Sequence, residues 1–196
     1  HTFKPPMLSH PRGRVHILYA GTIGMANDLG QLMEAMAIIE KDEKLDVQLD
    51  VVGEGNEASK VKRKAKSLGL TKVTFHPKVN KFELKRFWEQ ADMGIVCFKA
   101  VPALQANGAT KFFDYLAAGI PVVINYEGWQ AEYLRKFNCG LSSQQGDVSA
   151  FARNLIFLAT YSTVRLRMGG NGRRLAQTQF DRQLLARQMQ DIITKA

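Results

Sequence analysis

The sequence predicts a doubly wound α/β domain, a parallel sheet covered by helices on both faces. Two observations carry this prediction. Short apolar runs alternate with stretches whose apolar residues recur every three or four positions, which is the β-α-β-α order of a parallel sheet. The glycines Gly21, Gly24, Gly53, Gly55, Gly108 and Gly119 gather where the predicted strands give way to loops and helices. In such sheets ligands bind beyond the carboxyl ends of the strands, at the switch point.

Val15–Ala20 reads as the first strand, ending at Gly21. Leu29, Leu32, Met33, Met36 and Ile39 follow at helical spacing, with Asp28 as the cap. Leu45–Val52 is the second strand. After Gly53 and Gly55 comes a lysine-rich helix in which Val61, Ala65 and Leu68 form the apolar stripe. Val73–Phe75 reads as a strand, Glu83–Ala91 as a helix, Met93–Phe98 as a strand, Lys111–Ala118 as a helix and Pro121–Asn125 as a strand. Three more helical stretches are expected to begin near Trp129, Asp147 and Phe180. Right-handed crossovers then leave a doubly wound order as the simplest topology. Residues 1–13 read as a linker and 14–196 as one domain.

Composition narrows the function. No apolar run approaches the roughly 20 residues of a membrane-spanning helix, and the start (Phe3, Lys4, Pro5, Pro6) does not read as a signal peptide. Cys97 and Cys139 sit in apolar surroundings and read as reduced core thiols of a cytosolic protein. The net charge of +9 suits a polyanionic ligand, nucleic acid or an anionic lipid surface. Its first cluster, Lys60, Lys62, Arg63, Lys64 and Lys66, is the wet face of an amphipathic helix or a binding surface. A second gathers at Arg165, Arg167, Arg173, Arg174, Arg182 and Arg187. His1, His10, His16 and His76 lack metal-ligand spacing, and no Gly-x-Ser-x-Gly elbow is present.

Two motifs compete for the ligand. Gly53-Glu54-Gly55-Asn56-Glu57-Ala58 approximates a dinucleotide fingerprint, but it follows the second strand, and Glu54 and Glu57 would repel a pyrophosphate. No acidic residue ends the next strand (Val73-Thr74-Phe75-His76) to hold a ribose, so a nicotinamide cofactor is disfavoured. The other motif runs from Lys111 to Val123, KFFDYLAAGIPVV. Lys111 and Asp114 lie three apart on one helix face. A carboxylate there can accept hydrogen bonds from a ribose diol, and an ammonium can neutralise a diphosphate. The plainer alternative is a surface ion pair worth a few tenths of a kcal/mol.

This segment resembles the signature of the family 4 retaining glycosyltransferases of GT-B architecture, in which a carboxylate precedes a small-residue run and Gly-x-Pro-Val-Val. Tyr19-Ala20-Gly21-Thr22, Val51–Gly55, Val73–Val79, Ala91–Val96 and the stretch from Gly146 to Phe180 are similar to successive parts of that family's C-terminal domain. The resemblance implies a Rossmann-like donor domain, the C-terminal half of a GT-B fold, that transfers a sugar from a nucleotide diphosphate-sugar, UDP-linked, with no obligatory cofactor or metal. In that reading Asp114 holds the ribose and Lys111 the leaving diphosphate, aided by amides at Asn107, Gly108, Ala109 and Thr110. Gly21, Thr22, Gly24, Met25 and Gly53 line the donor, and the base lies against His76, Pro77, Lys78 and Val79.

Departures from the pattern refine the expectation. Thr22 and Asn27 stand where such enzymes often carry an Arg and a Lys clamping the diphosphate, leaving Lys111 and the amides of Gly24, Met25 and Ala26 as substitutes. Ala106 stands where a sugar-contacting glutamate is often found. Asn125–Glu132 resembles capsule and O-antigen enzymes that transfer deoxy-amino sugars, so the donor sugar is expected to lack or modify the hydroxyl this glutamate would bind. The implied partners are an N-terminal acceptor domain and a polysaccharide or lipid-linked acceptor at the inner face of the cytoplasmic membrane, with no nucleic acid. A non-catalytic nucleotide-binding or interaction module of the same fold remains the alternative.

Overall fold

The computed structural model describes residues 13–101, 103–104 and 107–195, so most of the expected linker, and Ala106, lie outside the described residues. Six parallel strands form one sheet: β1 (Val15–Ala20), β2 (Val47–Val52), β3 (Val73–His76), β4 (Met93–Val96), β5 (Val122–Ile124) and β6 (Gly140–Ser142). Their order, β3-β2-β1-β4-β5-β6, is the doubly wound one expected from the alternation. The helices are α1 (Leu29–Ile39), α2 (Ala58–Ser67), α3 (Lys81–Gln90), α4 (Thr110–Ala118), α5 (Trp129–Phe137), α6 (Val148–Thr160), α7 (Ser162–Gln179) and α8 (Arg182–Lys195).

Both sheet faces are covered. On one, Leu32, Met33 and Met36 of α1, Val61 of α2 and Phe151 and Leu155 of α6 pack on Ile17, Tyr19, Leu49 and Ile95. On the other, Phe87 and Trp88 of α3, Phe112 and Leu116 of α4, Leu134 of α5 and Leu175 of α7 pack on Leu18, Val96 and Val122. Cys97 and Cys139 are buried free thiols. In the lysine-rich α2, Val61 and Ala65 are buried; Lys64 pairs with Glu34 at 2.6 Å and Lys60 with Glu57 at 3.2 Å. Arg165, from the second basic cluster, is a structural residue that donates to the Leu158 carbonyl and pairs with Asp92 at 3.5 Å. Among the described residues no helix is long and apolar enough to cross a membrane.

Several boundaries differ from the sequence reading, each for a local reason. Strand β4 stops at Val96 instead of Phe98, because the side chain of buried Asn125 takes over the pairing: its Oδ1 accepts from the Phe98 amide at 2.8 Å and its Nδ2 donates to the Phe98 carbonyl at 3.0 Å. Helix α3 starts earlier than Glu83, since Asn80 and Glu83 form a reciprocal capping box. The helical stretch expected to begin near Asp147 is two helices, α6 and α7, joined at Tyr161, whose φ of −101° and ψ of 81° leave the helical region. Strand β2 begins at Val47 instead of Leu45, and β6 was not expected at all.

The sheet opens between its central strands. β1 and β4 pair only at Ile17↔Met93 and Leu18↔Gly94. Beyond them the Tyr115 hydroxyl substitutes for a neighbouring strand, accepting from the Ala20 amide at 2.9 Å and donating to the Leu18 carbonyl at 3.1 Å. Gly94 makes room for this ring: a Cβ there would lie 2.5 Å from Tyr115 Cγ. Gly94→Ala should therefore destabilise the chain by about 2–3 kcal/mol through overpacking at this junction. Urea unfolding measures that cost, and an unchanged midpoint would contradict the account.

Candidate functional site

A cleft of about 870 Å³ lies where β1 and β4 part. Two helices begin at its edge, and they differ in how their first amides are satisfied. Helix α1 is closed by its own carboxylate, Asp28, which accepts from the Gln31 amide at 3.1 Å. Helix α4 begins at Thr110, and the residue at its N-cap, Ala109, has no side chain able to cap it. The first N–H groups of α4 thus keep capacity for an outside acceptor, and the helix dipole favours an anionic one. Asn107, Gly108, Ala109, Thr110, Lys111 and Asp114 all line the cleft.

Lys111 and Asp114 do not pair. Among the described residues Lys111 makes no hydrogen bond or ion pair; its ammonium sits 4.0 Å from the centroid of the Tyr19 ring. The surface-pair alternative is thereby overturned. Burial pushes the Lys111 pKa down to about 8. Gly21 admits the side chain: a Cβ there would lie 2.9 Å from Lys111 Cε and Nζ. Burial raises the Asp114 pKa, while Lys81 pulls the other way. An unpaired, partly desolvated cation and carboxylate facing one cleft are arranged to meet a ligand that supplies the missing partners.

The loops above the cleft are tied together by backbone. The Gly21 amide donates to the Val52 carbonyl at 2.9 Å, Ile23 to Glu54 at 2.9 Å and Glu57 back to Ile23 at 3.0 Å. Gly53 and Gly55 serve this contact: Cβ atoms there would lie 1.9 Å from the Gly21 oxygen and 2.2 Å from the Ile23 oxygen. The glycines of the fingerprint-like run are thus explained by loop-to-loop packing. The Thr22 carbonyl accepts from the Tyr19 hydroxyl at 2.6 Å and from Asn27 Nδ2 at 3.0 Å, so Asn27 braces the loop.

Of the residues picked out from sequence, Gly21, Thr22, Gly53, Lys78 and Val79 join the α4 group in lining the cleft, and Gly24, Met25, His76 and Pro77 do not. Gly24 turns the loop, its carbonyl accepting from the Asn27 amide at 3.0 Å, and Met25 projects outward, 63% exposed. His76 turns to Asp50, with Nε2 2.7 Å from Oδ1, while His16 Nδ1 lies 3.4 Å from the other oxygen. Trp129 backs the cleft, stacked on Phe113 at 6.0 Å and adjoining Gly108. Sequence reasoning missed the apolar lining of Ala20, Val52, Leu84 and Phe98. Three of these end or follow strands, so the rule that ligands sit past strand carboxyl ends could have found them; Leu84, from α3, carried no signal.

A doubly wound parallel sheet with a cleft at its switch point and a helix N-terminus opening into it defines a Rossmann-like domain. The family model for glycosyl transferases group 1 matches residues 3–175, and the chain belongs to this family. No curated protein sequence matches it. Among solved structures it is similar to WaaG, a glycosyltransferase involved in lipopolysaccharide biosynthesis, at 22% identity and a TM-score of 0.70, over 86% of this chain and 44% of that one. It is similar to the C-terminal domain of LpcC, a glycosyl transferase group 1 family protein from Francisella tularensis, at 19% identity and a TM-score of 0.73, over 86% of this chain and 87% of that one. HepE of Anabaena in complex with UDP matches at 15% identity and a TM-score of 0.81, over 93% of this chain and 49% of that one. At these identities the likeness is one of fold, that of the GT-B glycosyltransferases.

Proposed function

We propose that the cleft binds a UDP-sugar and that the chain is the donor half of a sugar transferase. The observation that carries this is the unpaired Lys111 ammonium beside the uncapped start of α4, at the switch point. The diphosphate would lie there, the ribose diol against Asp114, and the base between Val79 and Leu84. As the glycosidic bond breaks, charge gathers on the departing diphosphate. A cation and amides already in place lower that barrier electrostatically. The UDP in the HepE and TarM structures supports this choice of nucleotide. An acceptor domain beyond these 196 residues completes the enzyme on this reading, since the chain spans only 44% of WaaG and 49% of HepE. The sugar, a deoxy-amino one, is retained in configuration and passed to a polysaccharide or lipid-linked acceptor.

Calorimetric titration with UDP, GDP, ADP and NAD tests the reading. UDP should bind selectively, and Asp114→Ala should weaken it about 10- to 100-fold through loss of hydrogen bonds to a charged acceptor. Preferential binding of NAD, or equal UDP affinity in the variant, would contradict it.

A further inference from the structure

We propose that Tyr19 is a positioning residue for Lys111, its ring face holding the ammonium at the cleft while its hydroxyl holds the loop through which that ammonium reaches ligand. Tyr19 is wholly buried at the end of β1, 92 positions away in sequence from the lysine it serves. Its two ends do different work. The ring lies 4.0 Å below Lys111 Nζ, and the hydroxyl donates to the Thr22 carbonyl at 2.6 Å. Gly21, between them, leaves the gap that the lysine stem fills.

A side chain as long as lysine has many rotamers, and a cleft-facing ammonium with no ion pair would sample them. A ring face attracts a cation without neutralising it or offering a hydrogen-bond acceptor. The ammonium's three donors stay available to an incoming anion. A carboxylate in the same place would hold the lysine as firmly but would compete with a diphosphate.

The other groups near Lys111 do not take this role. Cys97, after β4, is buried with its thiol pushed up to about 12, so it is neutral across the working range, and Asp28 is committed to capping α1. Asp114 on the same helix, and Glu54 and Lys78 across the cleft, line the space without pairing with Lys111.

The inference rests on Lys111 being the diphosphate's partner, and the test separates the two claims. The titration of Lys111 is followed by the 13C shift of its Cε in the whole chain, assigned with Lys111→Arg, and UDP binding is measured beside it. The wild-type midpoint should fall near 8. Tyr19→Phe keeps the ring and should keep that midpoint. Tyr19→Leu should lower it by about one unit, the effect of losing a cation–π contact, and weaken UDP about threefold at pH 7.5, where the protonated share of Lys111 falls from about three quarters to about one quarter, with uridine affinity unchanged. If the leucine variant does not fold, trifluorophenylalanine at position 19, which keeps the ring shape and drains its face of negative charge, should give the same downward shift. A wild-type midpoint in the leucine variant, or in the fluorinated one, overturns the role of Tyr19 whatever UDP does. Failure of UDP to bind the wild type overturns the reading of the cleft and leaves the titration to judge Tyr19.

Discussion

Replacing Lys111 with methionine should stabilise the chain while removing most of its affinity for a nucleoside diphosphate. The lysine's pKa falls from 10.5 to about 8 because burial penalises its charge. The unfolded chain therefore binds this proton more tightly than the folded one, and stability rises with pH wherever that holds. The cost is fully present below about pH 8 and is relieved as pH climbs through the window from about 8 to 10.5. Its size is about 3 kcal/mol at most, and solvent at the cleft mouth reduces it. Lys111→Met deletes the charge and keeps the length, so thermal unfolding at pH 7 should show a gain of about 1–3 kcal/mol. UDP affinity should fall about 10- to 100-fold, as for a hydrogen bond from a charged donor, with uridine affinity unaffected. Wild-type UDP binding should weaken between pH 7 and 9, because the bound diphosphate needs the ammonium. A destabilised methionine variant that binds UDP normally would mean that Lys111 is a packing residue.

Gly53→Ala should do the reverse, costing stability and site together. The residue adopts a φ of +147°, and an added Cβ would lie 1.9 Å from the Gly21 carbonyl oxygen. That neighbour is backbone, so no rotamer change relieves the collision; the loops after β1 and β2 must separate, breaking the Gly21–Val52 and Ile23–Glu54 hydrogen bonds. We expect a loss of about 3 kcal/mol or more. Gly69→Ala is the control, since its φ of +69° is also positive but nothing lies within 4 Å of the added atom. It should cost only about 1 kcal/mol of backbone strain. Urea unfolding of both separates strain from collision, and equal losses would deny the loop contact any special weight. Because Gly21 and Thr22 ride on that contact, UDP affinity should fall in Gly53→Ala and hold in Gly69→Ala.

The pattern of apolar residues was enough to recover β1 with its observed bounds, and α1 with Asp28 as its cap. Those elements bury one clear face, and burial enforces the periodicity that sequence displays. Strand β6 escaped because three residues, Gly140–Ser142, carry no period, and its place depends on Gly140 meeting the Val122 carbonyl. The break at Tyr161 escaped because neither glycine nor proline marks it. The segment from Lys111 to Val123 was legible as a motif, yet the placement of its lysine was not. That Lys111 would leave Asp114 for the ring of Tyr19 depends on a crevice created by Tyr115 and Gly94, residues far from β1 in sequence. The fingerprint-like glycines were read as a weak match to a dinucleotide motif, on the second strand and beside two glutamates. Their actual purpose, a backbone contact between two loops, belongs to tertiary structure alone.

On the proposed function, the start of α4 and the loop after β1 together form a diphosphate site. Following the backbone amides of the 15N-labelled chain while UDP is added tests it most directly. The largest shifts should fall at Gly21, Thr22 and Gly108–Lys111 and fade in Lys111→Met, with Asp92 and Arg165 at the opposite end of the sheet unmoved. Shifts centred away from the cleft, or none at millimolar UDP in a folded chain, would contradict it.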